Sequence, residues 1–163
     1  MAGRVLSDAS PLIGLARVDG LGWLNALFGV VWVPREVRDE VLSGRELPDE
    51  QKILAAFAQG GLRVCERTPA KPELPDLDEG EVACIRLALA DTTPALLLMD
   101  ELAGRAIARE QGLRVAGTAA VIGMARTQGL IPSARDVFAR LHASDFRIST
   151  SVIAEILRRV NEG

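Results

Sequence analysis

The run Ala95-Leu96-Leu97-Leu98-Met99-Asp100-Glu101 decides the fold. Its apolar residues do not alternate with polar ones, so a strand here is buried on both faces, as in a parallel sheet. The run stops at two carboxylates, and a helical pattern follows from Leu102 to Gly112. Asp100 therefore stands where strand hands over to helix. In open parallel sheets that carboxyl edge is where ligands and chemistry collect. The chain opens in the same way. Arg4-Val5-Leu6-Ser7-Asp8 leads into Ala9-Ser10-Pro11, with Ser10 read as N-cap and Pro11 as first helical residue. Two strands that each end in Asp, far apart in sequence, predict one acidic site at one sheet edge.

Working outward, strands and helices alternate. Leu21 to Phe28 reads as a short helix, Gly29-Val30-Val31-Trp32-Val33 as a buried strand, and Pro34 as the start of the next helix. There Val37 and Val41 form an i,i+4 apolar pair, which puts Glu40 on the flank of the buried stripe. A helix from Pro48 to Gly60 precedes the strand Leu62-Arg63-Val64-Cys65, and the proline-containing stretch from Thr68 to Pro75 reads as an ordered connector. Asp78-Glu79-Gly80-Glu81 opens the most regular helix. Arg114-Val115-Ala116 is a last strand, closed by Gly117-Thr118 and a helix from Ala119 to Gln128. Ser133 to Leu141 and Ser149 to Val160 are amphipathic helices that complete a single domain over residues 1–163, with 133–162 packing on it. The alternation predicts an α/β fold, a parallel sheet between helical layers.

Composition narrows the chemistry. The net charge of −3 predicts no general attraction to nucleic acid, unless basic side chains cluster around the acidic centre. Those side chains are almost all arginine, since Lys52 and Lys71 are the only lysines. Cys65 and Cys84 lack C-x-x-C spacing and read as a buried reduced pair. No apolar run reaches the roughly 18 residues of a membrane span, and no signal pattern opens the chain, so a cytoplasmic protein is expected. His142 is the only histidine, which argues against a Ser-His-Asp triad or a histidine-rich zinc site. Neither phosphate-binding glycine fingerprint follows the first strand.

Asp8 and Asp100 end strands, and Glu40 and Glu81 are read in the opening turns of helices that abut the same edge. Carboxylates gathered in this way repel, and hard divalent cations relieve the repulsion. Each residue also has a plainer reading. Asp8 would cap the helix that follows, and Glu40 would be a solvated helix charge. Glu81 would close a capping box with Asp78, and Asp100 would charge a helix N-terminus. Glu101 and Arg105 fit an i,i+4 helix pair. Thr118 fits an N-cap, or a hydroxyl aimed at a metal-bound water.

The motifs taken together resemble the PIN domain. They are Ser7-Asp8-Ala9-Ser10-Pro11-Leu12-Ile13, Val33-Pro34-x-x-Val37-x-x-Glu40-Val41 and Leu77-Asp78-x-Gly80-Glu81-x-x-x-Ile85-x-Leu87-Ala88, followed by Leu97-Leu98-Met99-Asp100-x-x-x-x-Arg105 and Val115-x-Gly117-Thr118. They occur in family order over nearly the whole chain. The sequence is most similar to a little-characterised prokaryotic branch that carries a Phe-Arg-Ile-Ser element, here Phe146 to Ser149. The resemblance implies a three-layer α/β/α PIN-like fold and an endoribonuclease dependent on Mg²⁺ or Mn²⁺. It places Asp8, Glu40, Glu81 and Asp100 on the acidic positions. Asp8 and Asp100 would hold the metal most directly, Glu81 would complete the ligands, and Ser10, Thr118 and Arg105 would support them. It further implies the toxin of a VapBC-like toxin–antitoxin pair, inhibited by a small antitoxin and dimeric. The rival readings are a non-catalytic PIN-fold interaction module, which the net charge favours slightly and the complete acidic set argues against, and a DNA-directed nuclease using the same residues. Two departures stand out: Glu101 replaces a second Asp of this branch, and Asp145 replaces a Gly before the Phe-Arg-Ile-Ser element.

Overall fold

A computed structural model of the chain describes residues 3–163. Five short strands form one parallel sheet: β1 (Val5–Ser7), β2 (Val31–Pro34), β3 (Leu62–Cys65), β4 (Leu96–Leu98) and β5 (Arg114–Ala116). Their order across the sheet is β3-β2-β1-β4-β5. The chain winds outward from β1 in one direction to β3, then crosses back and winds in the other direction through β4 to β5. Right-handed crossovers of opposite direction place their helices on opposite faces, which gives three layers. The point where the direction reverses lies between β1 and β4, whose registers pair Ser7 with Leu98. In such sheets the crevice at that switch point is the natural ligand site.

Nine helices are present among the described residues: α1 (Ala9–Arg17), α2 (Leu21–Phe28), α3 (Arg35–Val41), α4 (Pro48–Ala58), α5 (Glu79–Ala90), α6 (Leu102–Glu110), α7 (Thr118–Thr127), α8 (Ala134–Ala143) and α9 (Thr150–Arg159). α1 packs on α2, α4 and α7, and α9 lies outside against α7. α5 lies along β1, β2 and β4, while α3 touches both α1 and α5 at the carboxyl edge. The core is built from the strand interiors and their facing helices. Leu6, Val31, Val33, Leu97, Leu98 and Met99 are completely buried, as the unbroken apolar runs predict. Cys65 and Cys84 are buried free thiols. No helix among the described residues is long and apolar enough to cross a membrane.

Several local expectations shift. α1 begins at Ala9, with Asp8 rather than Ser10 in the N-cap position and Pro11 in the first turn. The ring is tolerated there because the first four amides of a helix have no intrahelical acceptor. α7 begins at Thr118, so Gly117 is its N-cap and Thr118 is not. α3 has only seven residues, which places Glu40 in its last turn rather than its first. Asp145, where the related branch has Gly, keeps a left-handed backbone with φ of 66°. Asp tolerates that region better than most side chains.

Candidate active site

The acidic edge is assembled by continuity of the sheet. Asp8 directly follows β1, and its amide donates to the carbonyl of Leu98 at 2.9 Å, extending the β1–β4 ladder by one residue. Asp100 stands two residues beyond β4. The amide of Thr118, at the start of α7, donates to Asp100 Oδ1 at 2.7 Å. The Thr118 hydroxyl donates to Oδ2 at 2.7 Å and the Ser10 hydroxyl to the same oxygen at 2.8 Å. Both supporting hydroxyls thus hold a carboxylate and fix its plane. The pairing of Thr118 with a helix amide, expected of an N-cap, does not occur.

Asp8 is placed differently. It occupies the N-cap position of α1, yet its side chain makes no capping hydrogen bond. Only 6% of its surface is exposed. Burial pushes its pKa from 3.8 up to about 7; the Ala9 amide offsets part of this, and the charges of Asp78, Glu81 and Glu40 add to it. A Cβ at Gly80 would come within 2.9 Å of Asp8 Oδ1, so only glycine lets the first turn of α5 lie against this carboxylate.

Glu81 closes the capping box with Asp78. Its amide donates to Asp78 Oδ1 at 2.8 Å and its Oε1 accepts from the Asp78 amide at 3.2 Å, a complete capping box. Its second oxygen, Oε2, is buried without a hydrogen-bond partner. Burial raises the pKa of Glu81, and neighbouring Asp78 and Glu101 push in the same direction. A Cβ at Gly104 of α6 would collide with Oε2, so that position too is kept clear for a carboxylate oxygen.

Glu40 is exposed and forms no hydrogen bond among the described residues. Its pKa is raised by partial burial and by the charge of Asp78, and its own charge reaches Asp8. It belongs to the rim. The expected Glu101–Arg105 pair does not form among the described residues. Arg105 Nη1 turns instead toward the Met99 carbonyl at 3.5 Å, and its Nε is buried without a partner. Burial lowers the Arg105 pKa, the charge of Arg109 adds to this, and Asp100 opposes it.

Asp78 was legible only as a capping residue. The structure also places its charge within reach of Asp8, Glu40 and Glu81. A larger cavity, about 650 Å³, lies between α1, α2 and α4 and contains none of these residues. Its charged groups, Lys52 and Asp19, pair with each other at 2.8 Å.

This edge belongs to a recognisable fold. A family model described as a PIN domain matches residues 4–162. The chain belongs to the PIN domain family. The curated proteins compared with it include none that matches. Membership points to nuclease chemistry on nucleic acid, generally supported in PIN domains by a divalent metal ion. The donor set of this PIN domain suits such an ion. Among the described residues no three His, Cys, Asp or Glu side chains close into a ready-made cage. A hard cation such as Mg²⁺ needs only one or two carboxylates with water and substrate oxygens. The orphaned oxygen of Glu81 and the buried carboxylate of Asp8 could serve as such donors.

Proposed function

We propose that this PIN domain is an endoribonuclease that hydrolyses RNA phosphodiester bonds with Mg²⁺ or Mn²⁺. The observation that carries the reading is a pair of buried carboxylates at the sheet's switch point: Asp8, set among like charges, and Glu81, whose Oε2 has no hydrogen-bond partner. An unpaired buried charge is costly, and folds retain one where a ligand completes it. Asp8, Asp100 and Glu81 would hold the ion. When bound, it supplies Lewis acidity at a phosphoryl oxygen and a more acidic water. The chain's own groups do the rest. Thr118 and Ser10 lock the plane of Asp100, the capping box holds Glu81 with Oε2 inward, and Glu40 on the rim is placed to orient water.

The role of toxin, held by a small antitoxin, and the homodimer follow from the family resemblance. Leu102 and Val152, 82% and 44% exposed, provide apolar surface beside the site for such contacts. Light scattering that returns 17.4 kDa at micromolar concentration refutes the dimer. The enzyme reading is tested by incubating the full chain with single-stranded and structured RNA in Mg²⁺, in Mn²⁺ and in chelator. Cleavage that requires either ion is expected. Equal cleavage after exhaustive chelation overturns the metal assignment, and no cleavage of any RNA overturns the ribonuclease.

A further inference from the structure

The two flanks of the acidic edge carry different charge. Around Asp8 stand the carboxylates of Asp78, Glu81 and Glu40. Beyond Asp100 a cleft of about 590 Å³ opens between the starts of α6 and α7 and the segment running from Phe146 into α9. Its charges are mixed. Glu155 is taken up by Arg158 and Arg159 at 2.7 and 3.0 Å, which leaves that part of α9 with one positive charge in excess. Arg147, also lining the cleft, is exposed and forms no hydrogen bond or ion pair among the described residues. Arg105, on the opposite wall, has a buried Nε without a partner. A polyanion approaching Asp100 therefore meets carboxylates on one flank and, on the other, the free guanidinium of Arg147 facing Glu101 and an Arg105 already turned to the Met99 carbonyl.

The segment that presents Arg147 is pinned at both ends. The ring of Phe146 lies on α1, where a Cβ at Gly14 would come 2.8 Å from its edge, and the Phe146 amide donates to the Leu141 carbonyl at 3.2 Å. Ser149 then caps α9 through the Val152 amide at 3.3 Å. Because Asp8 stands at the N-cap of α1, Phe146 ties the backbone of Arg147 to the helix that also positions the acidic site. The guanidinium stays free to fork onto a phosphate, a geometry arginine provides and lysine does not. A cleft of this size accepts a nucleotide-sized group, not a duplex.

We propose that this cleft seats a single RNA strand running away from the scissile phosphate at Asp100, with Arg147 as the residue that positions a neighbouring backbone phosphate. The proposal builds on the ribonuclease reading, and its test separates the two. The binding of a short labelled single-stranded RNA is followed by fluorescence anisotropy across a salt series, with the full chain in chelator. Arg147→Ala is expected to weaken binding about fivefold to tenfold at low salt. It should also reduce the salt slope by roughly 0.7, the share of one phosphate on a single strand. Arg147→Lys should restore part of the affinity. Arg114→Ala, an exposed arginine at the start of β5 and so at the opposite sheet edge, should change nothing. In Mg²⁺, Arg147→Ala should raise KM by a similar factor with kcat within about twofold, as loss of uniform binding does.

Unchanged affinity and salt slope in Arg147→Ala overturn the cleft assignment even where cleavage is intact. So does a fall in kcat at constant KM. Arg147-dependent RNA binding without any cleavage in Mg²⁺ supports the cleft and overturns the ribonuclease. If RNA does not bind but an oligoglutamate peptide does, with the same Arg147 dependence, the cleft belongs to an acidic protein partner and the proposal fails.

Discussion

Glu50 and Asp8 are both buried carboxylates, 9% and 6% exposed, and the fold treats them in opposite ways. Glu50 sits in α4 under the α3–α4 connection. Its Oε1 accepts from the Ser43 amide at 3.0 Å and the Ser43 hydroxyl at 2.7 Å, and its Oε2 from the Glu46 amide at 2.9 Å. The Ser43 hydroxyl holds its pKa below the ordinary carboxylate value. Asp8 caps nothing, sits among like charges and is pushed up to about 7 by its burial. A carboxylate that serves the fold is surrounded by its own donors. Asp8, at the switch point of the sheet, has only the Ala9 amide to set against its burial and its like-charged neighbours.

The contrast is tested most severely by Asp8→Asn. RNA cleavage is expected to fall by roughly three orders of magnitude, about 4 kcal/mol of transition-state stabilisation. The metal-free protein should nevertheless become more stable at pH 8. The sign follows from linkage. The folded-state pKa, about 7, lies above the unfolded value near 3.8, so the folded state binds more protons between them. Wild type therefore loses stability as pH rises through that window and levels off above it. Three pKa units set a ceiling of about 4 kcal/mol; with local relaxation, relief on the order of 1 kcal/mol is the expected gain. Urea denaturation in chelator at pH 5 and pH 8 measures it. A variant less stable than wild type at pH 8 would make Asp8 a structural residue and erase the distinction from Glu50.

Glu50→Ala should show the reverse. Three hydrogen bonds to a charged acceptor disappear and leave two backbone amides short of a partner. The melting temperature should drop by roughly 3–6 °C, with cleavage per folded molecule unchanged. Because the folded pKa of Glu50 is depressed, its contribution is present above the unfolded pKa and lost as pH falls through the folded one. The penalty for Glu50→Ala should therefore shrink in acid, where that for charged Asp8 also vanishes. A loss of activity larger than the loss of folded protein would show that the α3–α4 connection belongs to the active edge after all.

What the sequence disclosed divides along similar lines. β1, β3 and β5 are visible to the residue, because short apolar-rich runs set between helical patterns and bounded by charge or glycine have few other solutions in an alternating α/β chain. The strand-end positions of Asp8 and Asp100 follow from the same runs. Helix starts were less legible. Asp8 and Gly117, not Ser10 and Thr118, occupy the N-cap positions, because their neighbours' hydroxyls bond across the site to Asp100 rather than locally. A local capping rule cannot see an acceptor that is 90 residues away. Asp78, Gly80 and Gly104 were hidden for a related reason. Their roles depend on how closely α5 and α6 approach the carboxylates of other elements. The one local hint was the glycine directly before Glu81.

Glu40 sharpens the comparison at its weakest point, since it is neither donor-surrounded like Glu50 nor buried like Asp8. It stands exposed in the last turn of α3, and only its charge reaches inward, toward Asp78 and Asp8. Glu40→Gln preserves its length and polarity and removes that charge. Folding stability should stay within about 0.5 kcal/mol of wild type, as for an exposed position without a hydrogen-bond partner. Its effect on function should be small and of one kind. If Glu40 contributes to the field that holds the ion, or orients water beside it, the concentration of Mg²⁺ giving half-maximal cleavage should rise a few-fold and turnover at saturating Mg²⁺ should fall less. A metal titration of cleavage, run beside a thermal melt of each protein, separates this from a folding defect. If half-maximal concentration and turnover both match wild type, Glu40 is a solvated helix charge, and the working site contracts to Asp8, Glu81 and Asp100.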